Sequence, residues 1–292
     1  MAGRPQIAIV GPGNLGSALA IALRRAGYPI EIVLSRRTSS SVKRSRTLAR
    51  EVGASLQTTL RVTNGRVIWF CVPDSQIARV STQLAKNLKS AKGLIALHSS
   101  GALTSDELKG LQRKGARAAS VHPLMTFVAG SQPSLSGVPF VIEGDAAAVR
   151  VARQIVRDLK GVTYSIRKYD KAAYHAWGAF VSPLLTSLLA ASERVAKLAG
   201  LNQRSAQRRA IPILLQTLAN YASFGAAGAF SGPIARGDVE TVKRHLHVLK
   251  RVPSARRAYV VLAQAALHYL PARNKRELLS SLRGTRTSAR GY

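Results

Sequence analysis

The sequence predicts an α/β fold: an N-terminal Rossmann-type domain with a doubly wound, mostly parallel sheet, followed by an all-α C-terminal domain. Three observations carry this expectation. Four apolar residues, Ile7 to Val10, run directly into glycines at 11, 13 and 16. Further short apolar runs recur as far as Ser165, and runs of this kind, with helices between them, are the signature of a parallel sheet. From about Ile166 the strand pattern stops and the remainder reads as helices. The expected domains are therefore residues 1–165 and 166–292, with no repeat or low-complexity linker between them.

The stretch QIAIVGPGNLG, Gln6 to Gly16, is the first element. Its apolar run suits a buried parallel strand. In a G-x-G-x-x-G turn, Gly11 allows the tight bend, Gly13 lets the backbone approach a pyrophosphate and Gly16 lets the next helix pack closely. Asn14 and Leu15 open that helix, expected to reach Ala26, whose free amides and positive dipole end suit phosphate. The alternative is a strand–helix turn that binds no nucleotide.

Ile30 to Leu34 gives a second strand ending in Ser35-Arg36-Arg37. An acidic residue at this point accepts hydrogen bonds from an adenosine ribose and repels a 2′-phosphate. Here a hydroxyl and two guanidinium groups stand instead, which predicts NADP(H) over NAD(H).

Val67 to Val72 is the next strand, ending in Pro73-Asp74-Ser75. Val72 and Pro73 fall where such a strand end lies under a cofactor. Asp74 and Ser75 read equally as the N-cap of the following helix, and the cap is preferred. Leu94 to Leu97 leads into His98, Ser99 and Ser100, and Arg117 to Val121 leads into His122. Two strands thus deliver a histidine each to the ligand-binding edge of the sheet; a structural role for both is the alternative to a functional cluster. Ser99 is assigned to the cofactor and Ser100 to the substrate. Pro139 to Ile142 and Val162 to Ser165 are closing strands around a helix from Ala146 to Leu159.

The helix from Tyr169 places Lys171, His175, Gly178 and Ser182 at i, i+4, i+7 and i+11, beside a mainly apolar face. Lys171 and His175, one turn apart, can present a cation and a proton donor to one bound group. The alternative leaves Lys171 exposed and His175 bonded to a carbonyl. Ala210 to Ala235 carries only uncharged residues until Arg236. Pro212, Gln216, Asn220 and several glycines interrupt it, so a buried helix ending in a glycine-rich loop, with a subunit interface, is expected in place of a membrane span. In the loop that follows, Arg236 can clamp a substrate carboxylate or phosphate, or pair with Asp238.

The net charge is +31, from 44 basic and 13 acidic residues. Basic residues cluster between Arg36 and Arg50 and in the C-terminal tail, yet are spread over nearly every expected helix, which favours a solvated arginine-rich surface over a nucleic-acid or membrane site. Aromatic residues are only 5% of the chain, and neither a stacking signature nor metal-ligand spacing accompanies the charge. The apolar share of 46% fits a globular chain. The single cysteine, Cys71, reads as a small buried hydrophobe, and with the immediate first strand it predicts a reducing, cytoplasmic setting.

GPGNLG (11–16), SRR (35–37), VPDS (72–75), HSSGAL (98–103), HPLMTF (122–127), KAAYHAW (171–177) and GPIARGD (232–238) together resemble the family joining a Rossmann-like NADP-binding domain to the domain of unknown function 2520. The family is similar in layout to pyrroline-carboxylate reductases and phosphogluconate dehydrogenases. The resemblance implies an NADP-dependent oxidoreductase, homodimeric through its helical domain. The chain departs from the family at Ser182-Pro183, where Ser-Asn is expected; Pro183 is expected to kink the helix.

The function expected is hydride transfer between NADP(H) and a small carbonyl or imine compound in an interdomain cleft. Lys171 or His175 would give the proton, with His98, Ser99, Ser100 and His122 lining the cleft, Ser182 and Arg236 on the substrate, and the Lys171 pKa pushed down. The alternative is a non-catalytic NADP(H)-binding sensor that uses its basic surface on an acidic partner.

Overall fold

The computed structural model describes residues 3–36, 39–59 and 66–283, with residues 39 and 40 described in backbone only. The chain divides into two compact units, between Phe180 and Val181.

The first unit begins β1 (Ile7–Val10), α1 (Asn14–Arg25), β2 (Ile30–Leu34), α2 (Ser39–Val52) and β3 (Ser55–Gln57). It continues with β4 (Val67–Phe70), α3 (Asp74–Lys86), β5 (Ile95–His98), a 3-10 turn (Ser105–Leu108) and the short α4 (Lys109–Gln112). It closes with β6 (Arg117–Pro123), β7 (Pro139–Gly144), α5 (Ala146–Asp158), β8 (Val162–Ser165) and α6 (Lys171–Val181), whose last residue opens the second unit. The strands form one sheet in the order β3-β2-β1-β4-β5-β6-β7-β8. Every neighbouring pair is parallel except β6 and β7, which run antiparallel with Ser120 opposite Glu143.

Alternation along β1 explains why both sheet faces are covered. Ile7 and Ile9 join Leu19, Leu23, Trp69 and Ile155 in one core. Ala8 and Val10 join Phe70, Ile77, Leu94 and Leu111 in the other. A strand buried on both sides must be apolar at every position, as β1 and β4 are.

Two elements were not legible as such. Ser39–Val52 reads in the sequence as a basic cluster, but it is α2: Ser45, Leu48, Ala49 and Val52 are buried while Lys43, Arg44 and Arg46 line its other faces. The three residues of β3 pair with β2 and are too few to show a period.

The second unit comprises α7 (Pro183–Leu198), α8 (Gln203–Ala229), the short α9 (Pro233–Arg236), α10 (Val239–Val248), α11 (Pro253–Tyr269) and α12 (Lys275–Arg283). Val242, Leu246, Ala263, Leu267, Leu278 and Leu282 make its core, contributed by α10, α11 and α12. Asn202 and Asp238 cap α8 and α10 through the amides of Ser205 and Thr241.

Two expectations are corrected here. The uncharged helix is exposed in the chain: Ile213, Leu215 and Phe224 are 69%, 61% and 68% accessible. Absence of charge marks what a helix can bury, and the core of this unit is built from other helices. Pro183 ends one helix and starts another, where a kink was expected. Ser182 has φ −130° and ψ −79°, and Pro183 takes the first position of α7, where a missing N–H costs nothing. Among the described residues no helix is long and apolar enough to cross a membrane.

Candidate functional site

The carboxyl ends of β1, β2 and β4 open onto a cavity of about 810 Å³. Gly11 holds φ +91°, and a Cβ there would lie 2.7 Å from Val72 Cγ1 and 2.9 Å from the Cys71 carbonyl oxygen. Gly16 is buried, and a Cβ on it would overlap the carbonyl oxygen of Gly11. Gly13 differs from both: a Cβ there would meet nothing within 4 Å, and the residue lines the cavity. Gly11 and Gly16 therefore serve the protein's own packing, while Gly13 presents bare backbone to the cavity at the N-terminus of α1. Asn14 lines it too and donates to the carbonyl of Phe127 at 3.2 Å, tying the turn to the segment whose Val128, Gly130, Ser131 and Gln132 form more of the wall. Leu15 and Gly16, also expected at the cofactor, are not among the residues that line it.

At the end of β2, Ser35 lines the cavity but is 5% exposed, its hydroxyl engaged with Ser41 at 2.8 Å and Ser45 at 2.9 Å. Arg36 is exposed on the cavity wall; Arg37 lies outside the described residues. The structure adds Ser41 and Arg44 of α2, with Thr58 and Thr59 after β3. The signal for Ser41 and Arg44 was the helical spacing of α2, masked by its basic residues.

Val72 and Pro73 line the cavity as expected, but Asp74 does not cap α3. Pro73 is the cap position, and the Asp74 carboxylate accepts the Ser100 hydroxyl at 2.8 Å. Cys71 is mostly enclosed, and burial pushes its thiol up to about 12. Ser99 lies away from the cavity wall, accepting the Trp69 indole N–H at 2.8 Å inside the core.

Lys171, expected on a cleft wall or in solvent, is 1% exposed. Its Nζ donates to Ser120 Oγ at 2.7 Å and to the Ser100 carbonyl at 3.1 Å. Burial lowers its pKa to about 8, against the raising influence of Glu143 and Asp74. Ser100 is the hub: its N–H donates to His98 Nδ1 at 3.1 Å, and its Oγ accepts from the Leu103 N–H at 2.9 Å. That engagement fixes the His98 tautomer. With Nδ1 accepting, Nε2 carries the proton and donates it to the Thr104 carbonyl at 2.9 Å. Burial holds His98 down to about 4, and neither ring nitrogen is left to exchange a proton with a ligand.

The groups with free polar atoms lie beside this buried set. His122, part-buried and lowered to about 4 by burial, has Nδ1 3.1 Å from the Tyr174 hydroxyl. His175 is exposed, its ring edge-on to that of His122 with centroids 6.1 Å apart. Gly101 makes room for both rings, since a Cβ there would stand 2.9 Å from His122 Nε2 and closer still to His175. The first unit thus assembles His98, Ser100, His122, Lys171 and His175. Ser182 and Arg236 belong to the second: Ser182 is the cap position of α7, and Arg236 is exposed at the end of α9. Asp238, the alternative partner for Arg236, places its carboxylate on the Thr241 N–H at 3.0 Å.

Residues 1–123 match a Rossmann-like domain, and residues 138–266 match the domain of unknown function DUF2520. No curated protein matches the chain by sequence. Among solved structures, the chain is similar to a candidate NADP oxidoreductase of Bacteroides fragilis at 23% identity, covering 90% of this chain and 97% of that one, with a TM-score of 0.75. It is similar to an imine reductase of Pseudomonas sp. at 21% identity, covering 90% and 94%, with a TM-score of 0.62. It is also similar to a reductive aminase of Aspergillus terreus in complex with NADPH and ethyl-5-oxohexanoate, at 17% identity over 91% and 94%, with a TM-score of 0.64. At these identities the likeness is one of fold.

Proposed function

We propose that the protein, a Rossmann-like domain joined to a DUF2520 domain, is an NADP(H)-dependent oxidoreductase that reduces a small carbonyl or imine compound or oxidises the corresponding product. The observation that carries this reading is the cavity at the end of β2, where Arg36 and Arg44 line the wall and, among the described residues, no carboxylate does. Its volume lies within the range of ligand cavities. The open Gly13 suits close approach of a pyrophosphate to the amides of α1, and the guanidinium groups suit a 2′-phosphate. The names of the fold neighbours, an imine reductase and an NADPH-bound reductive aminase, support the substrate class.

When bound, the nicotinamide supplies or accepts the hydride. The chain's own residues orient the reactants and handle the proton. His175 is assigned the proton transfer, because its ring is exposed while Lys171, one turn earlier, is enclosed by Ser100 and Ser120. Lys171 contributes positive charge beneath that surface and fixes the ends of β5 and β6. His122, neutral at pH 7, completes the wall with Tyr174. The exposed apolar residues of α8 support a homodimer formed through the helical unit, since single chains rarely leave so large an apolar face to water.

NADPH binding followed by its oxidation across a panel of keto acids, aldehydes, ketones with amines, and cyclic imines tests the reading. Tight NADPH binding and turnover with one class is expected, with His175→Ala lowering kcat by at least tenfold. Binding without turnover on any of them would favour a non-catalytic NADP(H) sensor instead. Light scattering should give twice the chain mass, and Leu215→Asp should halve it.

A further inference from the structure

Asp74 lies at the start of α3, where a carboxylate ordinarily serves its own helix, as a cap or through the helix dipole. Its side chain is turned elsewhere. The carboxylate takes the Ser100 hydroxyl at 2.8 Å, although Pro73 leaves the cap position without a side-chain bond. Ser100 in turn offers its carbonyl to Lys171 Nζ, and the Ser120 hydroxyl that receives the same amine donates back to that carbonyl at 3.2 Å. The Leu103 N–H closes the bend by donating to Ser100 Oγ. Every polar atom of Ser100 is committed, so Ser100 serves as a fixed bracket and has no hydroxyl to offer a substrate.

From this geometry we infer that Asp74 is a positioning residue for Lys171, acting through Ser100, whose carbonyl it holds on the ammonium. The inference rests on the reading of Lys171 as part of the reaction site. It deepens that reading by naming what keeps a buried ammonium in place. An unpaired buried cation is costly, and carbonyl and hydroxyl acceptors alone compensate it partially. A carboxylate at one remove, polarising the serine that binds the amine, supplies the missing charge compensation without an ion pair that would quench the amine. The titratable and charged groups that face the amine are Asp74 of α3, Glu143 of β7, and the neutral His98 and His122 of β5 and β6. Glu143 is itself engaged with the Ser105 N–H and hydroxyl at 2.7 and 2.8 Å. Asp74 is the carboxylate bonded to a residue that touches Nζ. Because Val72 and Pro73 precede it and Gln76 and Arg79 follow on the cavity wall, the bracket also ties the cofactor cavity to the amine.

The test follows the Lys171 13Cε resonance with pH in the full-length protein carrying isotope-labelled lysine, assigned by its loss in Lys171→Arg. Wild type should titrate near 8. Asp74→Asn removes a nearby negative charge, so the ammonium becomes easier to deprotonate; its proton dissociation constant should rise by about threefold to tenfold. Asp74→Glu should restore most of the wild-type value, and Ser100→Ala should shift it in the same direction as Asp74→Asn. An unchanged titration in Asp74→Asn overturns the inference. So does a shift in Asp74→Asn with none in Ser100→Ala, since Asp74 would then act through space. Asp74 is exposed, so its variants are expected to fold, and they carry the test if Ser100→Ala does not. The titration needs no cofactor. Failure to bind NADPH would therefore sink the proposed function while leaving this result standing.

Discussion

Tyr174 and His122 meet edge to face, with the phenol hydroxyl 3.1 Å from Nδ1 and ring centroids 5.6 Å apart. The pair fixes which nitrogen of His122 is turned towards Gly101. Tyr174→Phe should cost about 1 kcal/mol by urea denaturation, the usual worth of one such bond. Gly101→Ala would put a methyl 2.9 Å from Nε2, so it should lower turnover strongly while NADPH affinity stays within about twofold. Equal turnover in wild type and Gly101→Ala would remove these rings from the reaction.

His98 predicts an acid-side loss of stability. Its folded pKa, about 4, lies below the ordinary 6.5, so between those values the unfolded chain binds the proton more readily. The stabilisation is complete above pH 6.5 and is lost as pH falls through 4, by on the order of 3 kcal/mol for this one residue. Denaturant melts from pH 7 to pH 4 should show that slope. In His98→Asn, which keeps an acceptor for the Ser100 N–H but cannot titrate, the slope should fall by about half, the remainder coming from His122, which burial also lowers to about 4.

Two glycines of one turn should behave oppositely. Gly16→Ala has to displace the Gly11 backbone and should cost about 1–3 kcal/mol or more, read as a fall in Tm. Gly13→Ala meets no protein atom and has φ −76°, so Tm should hold while NADPH affinity drops. Comparable Tm losses in both would contradict the division of labour assigned to them.

Arg36→Ala and Arg44→Ala should each weaken NADPH about tenfold, the loss of one charge-assisted contact, and leave NADH binding unchanged. Fluorescence titration of the two cofactors measures both. Parallel losses for NADH would place these side chains on the shared part of the molecule.

The sheet was legible because buried parallel strands must be apolar throughout, and six of the eight strands announce themselves as short runs between turns. A seventh, β8, is recognisable from Val162 and Tyr164 although it is largely exposed. β3 is too short for any pattern, and α2 was hidden because its buried residues are separated by arginines that compete for attention as charge. At the site, the residue types were legible and their orientations were not. Lys171 and His175 share a helix face by spacing, yet one is enclosed by two serines and the other lies in solvent. His98 and His122 follow equivalent strand ends, yet Ser100 and Thr104 consume both nitrogens of the first. Such differences depend on partners 2 to 71 residues away in sequence, whose side-chain geometry local periodicity does not encode.

The antiparallel turn of β7 against β6 has a bearing on how this molecule can diversify. Because β7 starts at the edge where β6 ends, the segment from Leu124 to Val138 leaves and returns on the same side of the sheet, where part of it walls the cavity. Its outer residues are largely exposed, with Gly130 and Gly137 in the left-handed conformation and one bond from Asn14 at its base. Insertions or deletions there can reshape that part of the cavity wall while the strands beneath keep their register, so this stretch, far from the glycine turn in sequence, is where the cavity can vary at least cost to the sheet.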